Sequence, residues 1–320
     1  MRAPDPNTHS YCFRGHSRAL TSEGEPSGSR FPPIIWSPSP RCLFSTPPTA
    51  ILTLMPLSLR SRFKRWLYGS CPGLSGSFPY FGVRTYFPRN ALVFNLACEQ
   101  GIYEASNVRL LQSALCPNST VFDVGANIGL MSIPLLASES SLNVVSFEPS
   151  PHNVAHLQRT AAGSGFRDRW EVITSALSDH EGEAEFHCAT PDLGAFDGLA
   201  DTGRTGGTTA VRVHLSTLDI EWQRRGRPTV SAVKIDVEGA ELGVLKGGAA
   251  CIASSRPLLL VEWNASNLRS FGCDAGSLLS IAEELSYDVF AMPNLVKVAS
   301  RPHLRALMAF DESFALMPRA

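Results

Sequence analysis

From about residue 105 onward, short apolar runs alternate with segments whose apolar residues recur every three or four positions, and few folds accept that rhythm. The runs are Thr120 to Val124, Asn143 to Phe147, Glu171 to Ser175, Ala232 to Val237, Pro257 to Trp263, Tyr287 to Ala291 and Ser313 to Met317. Between them, Val108, Leu111 and Leu115, then Val154, Leu157 and Ala161, then Leu242, Leu245, Ala249 and Ile252, then Leu278, Ile281, Ala282 and Leu285 form helical stripes. Strands apolar on both faces and joined by helices predict an α/β fold, Rossmann-like, with a mostly parallel sheet and helices on both faces. A helix is expected from about 128 to 137, kinked or shortened by Pro134. Residues 184–216 read as β structure around a Gly-, Thr- and Asp-rich stretch, Asp192 to Thr209, expected to be a lid or a disordered insertion.

The first third of the chain has a different composition. Residues 1–60 hold 10 of the 23 prolines, no lysine and only three acids. They show no periodicity, so they are expected to stay disordered. The stretch is Arg- and Ser-rich like an organellar leader, although translation from Met55 is the simpler expectation. A basic lead-in, residues 61–104, follows, and the α/β domain is assigned to 105–320. Within MPLSLRSRFKRWLYG, residues 55–69, Leu59, Phe63, Trp66 and Leu67 fall at helical spacing, which predicts a peripheral helix with membrane-surface contact as the lesser alternative.

The formal net charge is -1, from 28 basic and 29 acidic residues, so no global field favours nucleic acid. No apolar run is long enough to span a bilayer. Eight scattered cysteines contain no CxxC pair, which argues against a zinc module and for reduced thiols in a cytoplasmic protein, or an organellar one if the leader is real.

Two segments carry chemistry. VFDVGANIGL, residues 121–130, is a strand that ends near Asp123 and turns through Gly125, Asn127 and Gly129 into a helix. Ligands of open α/β sheets sit beyond such strand ends, where small residues admit them and helix amides add a polar cradle. In VVSFEPS, Glu148 lies 25 residues after Asp123, where a carboxylate can accept both hydroxyls of a ribose. The interval from Gly125 to Gly129 is GxxxG, whereas a pyrophosphate turn wants GxGxxG. S-adenosylmethionine, which has no pyrophosphate, therefore suits the turn better than a nicotinamide dinucleotide.

These pieces, with ALSDHEG at 176–182, VKIDVEGAELGVLKGG at 233–248 and LLLVEWN at 258–264, resemble the FkbM family of S-adenosylmethionine-dependent methyltransferases over residues 103–317. The resemblance implies a seven-stranded sheet whose last strand is antiparallel, and methyl transfer to a hydroxyl of a sugar, lipid or natural product. Asp123, Gly125, Asn127, Gly129, Glu148, Ser175 and Ala176 are then the cofactor-binding candidates, the last two lying where the adenine edge would be read. Asp236 and Glu238 are the catalytic candidates, because an acceptor hydroxyl must lose its proton to a nearby base. Lys234 shares a strand face with Asp236 and is expected to pair with it. Glu241 reads as a helix N-terminal charge. No metal is assigned, and a magnesium site on Asp236, Glu262 and Asn264 is the weaker alternative. A nicotinamide-dependent oxidoreductase and a cofactor-binding module without turnover remain the rival functions.

Overall fold

The computed structural model describes residues 58–203 and 205–319, all within one compact unit. The expectations of a disordered tail and of initiation at Met55 lie outside the described residues. The chain opens with helix α1 (Leu59–Gly69), a hairpin of β1 (Ser77–Tyr80) and β2 (Val83–Tyr86), and helices α2 (Leu92–Gln100) and α3 (Ala105–Ser113). There follow β3 (Thr120–Val124), α4 (Ser132–Ser138), β4 (Asn143–Phe147), α5 (Pro151–Gly163) and β5 (Trp170–Ile173). The middle contains β6 (Ala176–Leu177), β7 (Gly182–Cys188), a 3-10 helix over Pro191–Phe196, and β8 (Thr209–Ser216). The remainder is α6 (Leu218–Arg224), β9 (Val230–Ile235), α7 (Glu241–Gly247), α8 (Ala249–Ser255), β10 (Leu258–Glu262), α9 (Ala265–Ser270), α10 (Ser277–Glu284), β11 (Tyr287–Ala291), β12 (Val296–Lys297), α11 (Arg301–Leu307) and β13 (Ser313–Pro318).

The main sheet runs β12-β11-β13-β10-β9-β3-β4-β5. Strands β10, β9, β3, β4 and β5 are parallel, and β13 is antiparallel to both of its neighbours, β10 and β11. Apart from the two-residue edge strand β12, this is the seven-stranded arrangement of class I methyltransferases expected above. Side chains alternate across it: Val121 belongs to the core beneath α2 to α5, and Phe122 to the core beneath α6 to α11. Chain direction through the sheet reverses between β3 and β9, which opens a crevice at their carboxyl ends.

Local chemistry moves several boundaries. Helix α4 begins at Ser132 rather than near residue 128, which puts Pro134 in its first turn, where no amide is needed. The stripe from Leu242 to Ile252 is two helices, α7 and α8, broken at Gly248, where Leu218 occupies the space a side chain would need. Within the stretch 192–209, expected to be a lid or a disordered insertion, the part around Gly194 to Gly198 is ordered against the body of the domain. Asn153 Nδ2 donates to Gly194 O at 2.9 Å, and Asp197 accepts from Ser150 Oγ at 2.6 Å and from Ala189 N at 2.7 Å. The segment extends the small sheet β6-β8-β7 into a fixed wall.

Gly247 closes α7 against the chain after β6, and a Cβ there would lie 2.1 Å from Ser178 O. Gly247→Ala should destabilise by about 1 to 3 kcal/mol, the range for overpacking a rigid contact. Gly243→Ala, whose Cβ would stand 3.4 Å from Ser178 Oγ, should be neutral or gain up to about 1 kcal/mol of helix propensity. Denaturant unfolding of both variants checks the contrast.

Candidate active site

A cavity of about 320 Å³ occupies the crevice between the ends of β3 and β9. Gly125 and Asn127 from the β3 turn, Glu148 past β4, and Ser175 and Ala176 past β5 line it, together with Asp236 and Glu238 past β9. Seven of the nine site candidates thus meet in one place. Asp123 and Gly129 do not line it. Asp123 is fully buried one layer down, and Gly129 packs against Trp170 and Leu157.

Burial of Asp123 is explained by register. Lys234 on β9, Asp123 on β3 and Ser146 on β4 are paired across the sheet and point to the same face. Lys234 Nζ lies 3.6 Å from Asp123 Oδ1, Ser132 Oγ donates to Asp123 Oδ2 at 2.6 Å, and Ser132 Oγ and Ser146 Oγ are 2.8 Å apart. Trp170 Nε1 donates to Ser146 Oγ at 2.8 Å and ends the row on β5. Lys234 also donates to Gly125 O at 2.7 Å, which ties the turn to the sheet, and its ion pair with Asp236 is 3.2 Å. Burial alone would lower the ammonium pKa, but Asp236, Asp123 and Glu104 more than reverse it and leave Lys234 firmly protonated.

Gly125 is where the turn demands glycine. Its φ is +76°, and a Cβ would fall 1.8 Å from Asp236 O. The two strand ends therefore touch through backbone, which brings the β3 turn and Asp236 to a single edge of the cavity.

Glu148 accepts from Asn127 N at 2.7 Å and from Ser150 N at 2.9 Å. Burial raises its pKa to about 7, against the lowering effect of those two amides. Across the cavity, Asp236 is 31 % exposed in its side chain, and Glu238 is buried with its Oε2 accepting from Asn267 Nδ2 at 2.7 Å. Glu262 is held well above the ordinary carboxyl range by burial, by the charge of Asp236 and by its hydrogen bond to Asp236. Glu241 accepts from Val237 N at 3.1 Å and Gly239 N at 2.9 Å and holds the turn before α7.

Carboxylate oxygens of Asp236, Glu238 and Glu262 lie within 4.8 Å of one another. Among the described residues they form a carboxylate group able to share a cation. Asn264 caps α9, accepting from Ser266 N at 2.8 Å, and donates to Glu312.

Three groups in the cavity wall carry no sequence signal. Glu104 N-caps α3 in a left-handed conformation, Tyr103 precedes it, and Glu312 lies before β13. Burial, and then the charge of Asp236, raise the Glu104 pKa. Leu92, Val93 and Leu96 of α2 complete that wall, so the segment 61–104 contributes to the site instead of merely leading into the domain.

Strand order and a crevice at the β3/β9 reversal define the fold of class I methyltransferases. The sequence profile of the Methyltransferase FkbM domain matches residues 123–289, just over half of the chain, and the protein belongs to this family. It is 25 % identical over 156 residues to the 2-O-methyltransferase NoeI of Sinorhizobium fredii, covering 44 % of this chain and 61 % of that protein. It is 29 % identical over 183 residues to the AMB antimetabolite synthetase AmbE of Pseudomonas aeruginosa, covering 46 % of this chain and 8 % of that protein. The chain thus spans less than two thirds of the length of these curated relatives. A solved FkbM methyltransferase from Methylobacillus flagellatus is similar with a TM-score of 0.43 at 16 % identity, over 70 % of this chain and 52 % of that one. Family membership, together with the glycine interval, removes the support for a nicotinamide-dependent oxidoreductase. Among the described residues no helix is long and apolar enough to cross a membrane.

Glu148→Ala should cost about 1 to 3 kcal/mol of stability, because it leaves the amides of Asn127 and Ser150 without acceptors. The pKa of Glu148 is about 7 when folded against 4.5 ordinarily, so the folded state binds this proton more tightly than the unfolded chain. Its contribution to stability is therefore fully present below about 4.5 and is lost as pH rises through about 7. Unfolding of parent and Glu148→Gln across that range should show the parent losing stability relative to the variant as pH rises.

Proposed function

We propose that the cavity binds S-adenosylmethionine and that the enzyme transfers its methyl group to a hydroxyl oxygen of a sugar, lipid or natural product. The observation that carries this reading is the convergence of Glu148, the side-chain-free turn at Gly125 and the Asp236 carboxylate on one cavity.

The donor set fits the cofactor. Glu148 stands where a carboxylate can accept ribose hydroxyls, and the backbone beside Ser175 and Ala176 offers amide and carbonyl groups to an adenine edge, between Phe147 and Leu177. Gly125, Asn127 and Asp236 line one edge of the cavity, the edge assigned here to the amino-acid moiety. Asp123 supports this site from beneath through Lys234 and Ser132 without reaching it. When bound, the cofactor supplies an electrophilic methyl group on a sulfonium.

The remaining work falls to residues of this chain. Asp236, oriented by Lys234 and by its hydrogen bond with Glu262, accepts the proton of the acceptor hydroxyl as that oxygen takes the methyl group. Glu238, fixed by Asn267, accepts a second hydrogen bond that orients the acceptor. The similarity to NoeI, a 2-O-methyltransferase, supports transfer to oxygen. If a divalent cation is required, Asp236, Glu238 and Glu262 are the residues to hold it.

Two measurements test the reading. Asp236→Asn should lower turnover by about 10² to 10⁴ while leaving cofactor affinity within a few-fold. Release of S-adenosylhomocysteine across a panel of hydroxylated acceptors reads this, and chelator sensitivity separates a lost base from a lost metal ligand. Parent-like turnover of the variant on the best acceptor would remove Asp236 from the chemistry. Turnover absent from the parent on every acceptor, with cofactor still bound, would favour the binding module. Hydroxyl donors favour the ionised form of Glu148, so S-adenosylmethionine binding near pH 7 should release a fraction of a proton. Calorimetry in buffers of different ionisation enthalpy should show the release in the parent and none in Glu148→Gln. In that variant affinity should fall by about 1.5 to 3 kcal/mol for a lost charge-assisted bond.

A further inference from the structure

Helix α1 packs one side against α2 and leaves the other uncovered among the described residues. Ser61 is buried, and Arg65 pairs with Glu99 of α2 at 2.9 Å. On the outer side Leu59, Phe63 and Trp66, spaced i, i+4 and i+7, form a single stripe that is 82 %, 58 % and 56 % exposed. The Phe63 and Trp66 rings lie 5.9 Å apart and make one continuous apolar patch. Arg60 and Arg62 are exposed on the same helix.

Charge selects the partner. The sequence has no Asp or Glu between Glu25 and Glu99, yet eight Lys and Arg lie in that interval, four of them in α1. A second copy would bring like charges together. A protein partner of mixed charge gives no reason for so long an acid-free stretch. An anionic bilayer matches both halves of the pattern, because the apolar stripe can enter the boundary between headgroups and acyl chains while the basic side chains stay among phosphates. Trp and Phe suit that depth, having apolar bodies and quadrupolar faces.

We propose that α1 is a membrane-surface helix that docks this protein on anionic lipid through Leu59, Phe63 and Trp66, with Arg60 and Arg62 contacting phosphates. The contact does not depend on the catalytic reading. It places the cavity wall formed by Leu92, Val93 and Leu96 of α2 one helix away from the lipid.

The test uses the full chain and flotation with vesicles of phosphatidylcholine, pure or doped with phosphatidylglycerol. Binding to the doped vesicles only, released by salt, is expected. Arg60→Ala with Arg62→Ala should weaken it roughly 25-fold, at about five-fold for each basic side chain near an anionic surface. Phe63→Ser with Trp66→Ser should abolish it while leaving thermal unfolding unchanged, since both side chains are exposed. Brominated lipid should quench part of the tryptophan fluorescence of the parent and none in Trp66→Phe. Failure of the parent to float with anionic vesicles would overturn the proposal. So would flotation indifferent to Phe63 and Trp66, or a concentration-dependent dimer that the same substitutions disperse.

Discussion

A lysine buried among parallel strands organises this protein. Lys234 sits on β9 in register with Asp123 on β3, and a charge at that depth survives only if it is paired and hydrogen-bonded. The pairing is met from three directions: Asp123 below, Asp236 above, and the carbonyl of Gly125 across. Asp123 in turn holds Ser132 at the start of α4, and the row continues through Ser146 to Trp170. Four parallel strands and the first helix after β3 are fixed to one another by polar contacts that cannot slide, since a one-residue slip would turn every member of the row to the opposite face.

The site inherits its electrostatics from that arrangement. Glu104, Asp236, Glu238, Glu262 and Glu312 share the cavity wall with Lys234 as the only ammonium or guanidinium among its described lining residues. Burial, and then the charge of Asp236, push Glu262 and Glu104 up, while Asp236 lies 3.2 Å from the Lys234 ammonium. The FkbM domain profile covers residues 123–289, but the wall is completed from outside that range by α2, Glu104 and Glu312.

In the sequence Asp123 and Glu148 look alike, as acids at strand ends 25 residues apart. Their fates differ because of position. Asp123 is still inside β3 and turns into the layer beneath α4, whereas Glu148 is the first residue past β4 and reaches the crevice. A helix stripe read through Gly248 misses the break there because periodicity does not see Leu218. Pairing of Lys234 with Asp236 was legible, since period-two alternation puts both on one side of the chain; the partnership with Asp123 required the register of a strand more than a hundred residues away.

What the sequence determined by itself was the sheet, its flanking helices, the turn after β3 and the acid after β4, because apolar periodicity, glycine conformation and strand-end position are local properties. Tertiary structure alone decided which acids meet. Glu104, Glu262 and Glu312 come from distant segments, and only strand order brings them beside Asp236. The same holds for the fixed wall at 191–199, a stretch without periodicity whose order comes from hydrogen bonds to Asn153 and Ser150 on another part of the chain. Local pattern specifies how a segment is built, and the energies that place a charge depend on every group packed around it.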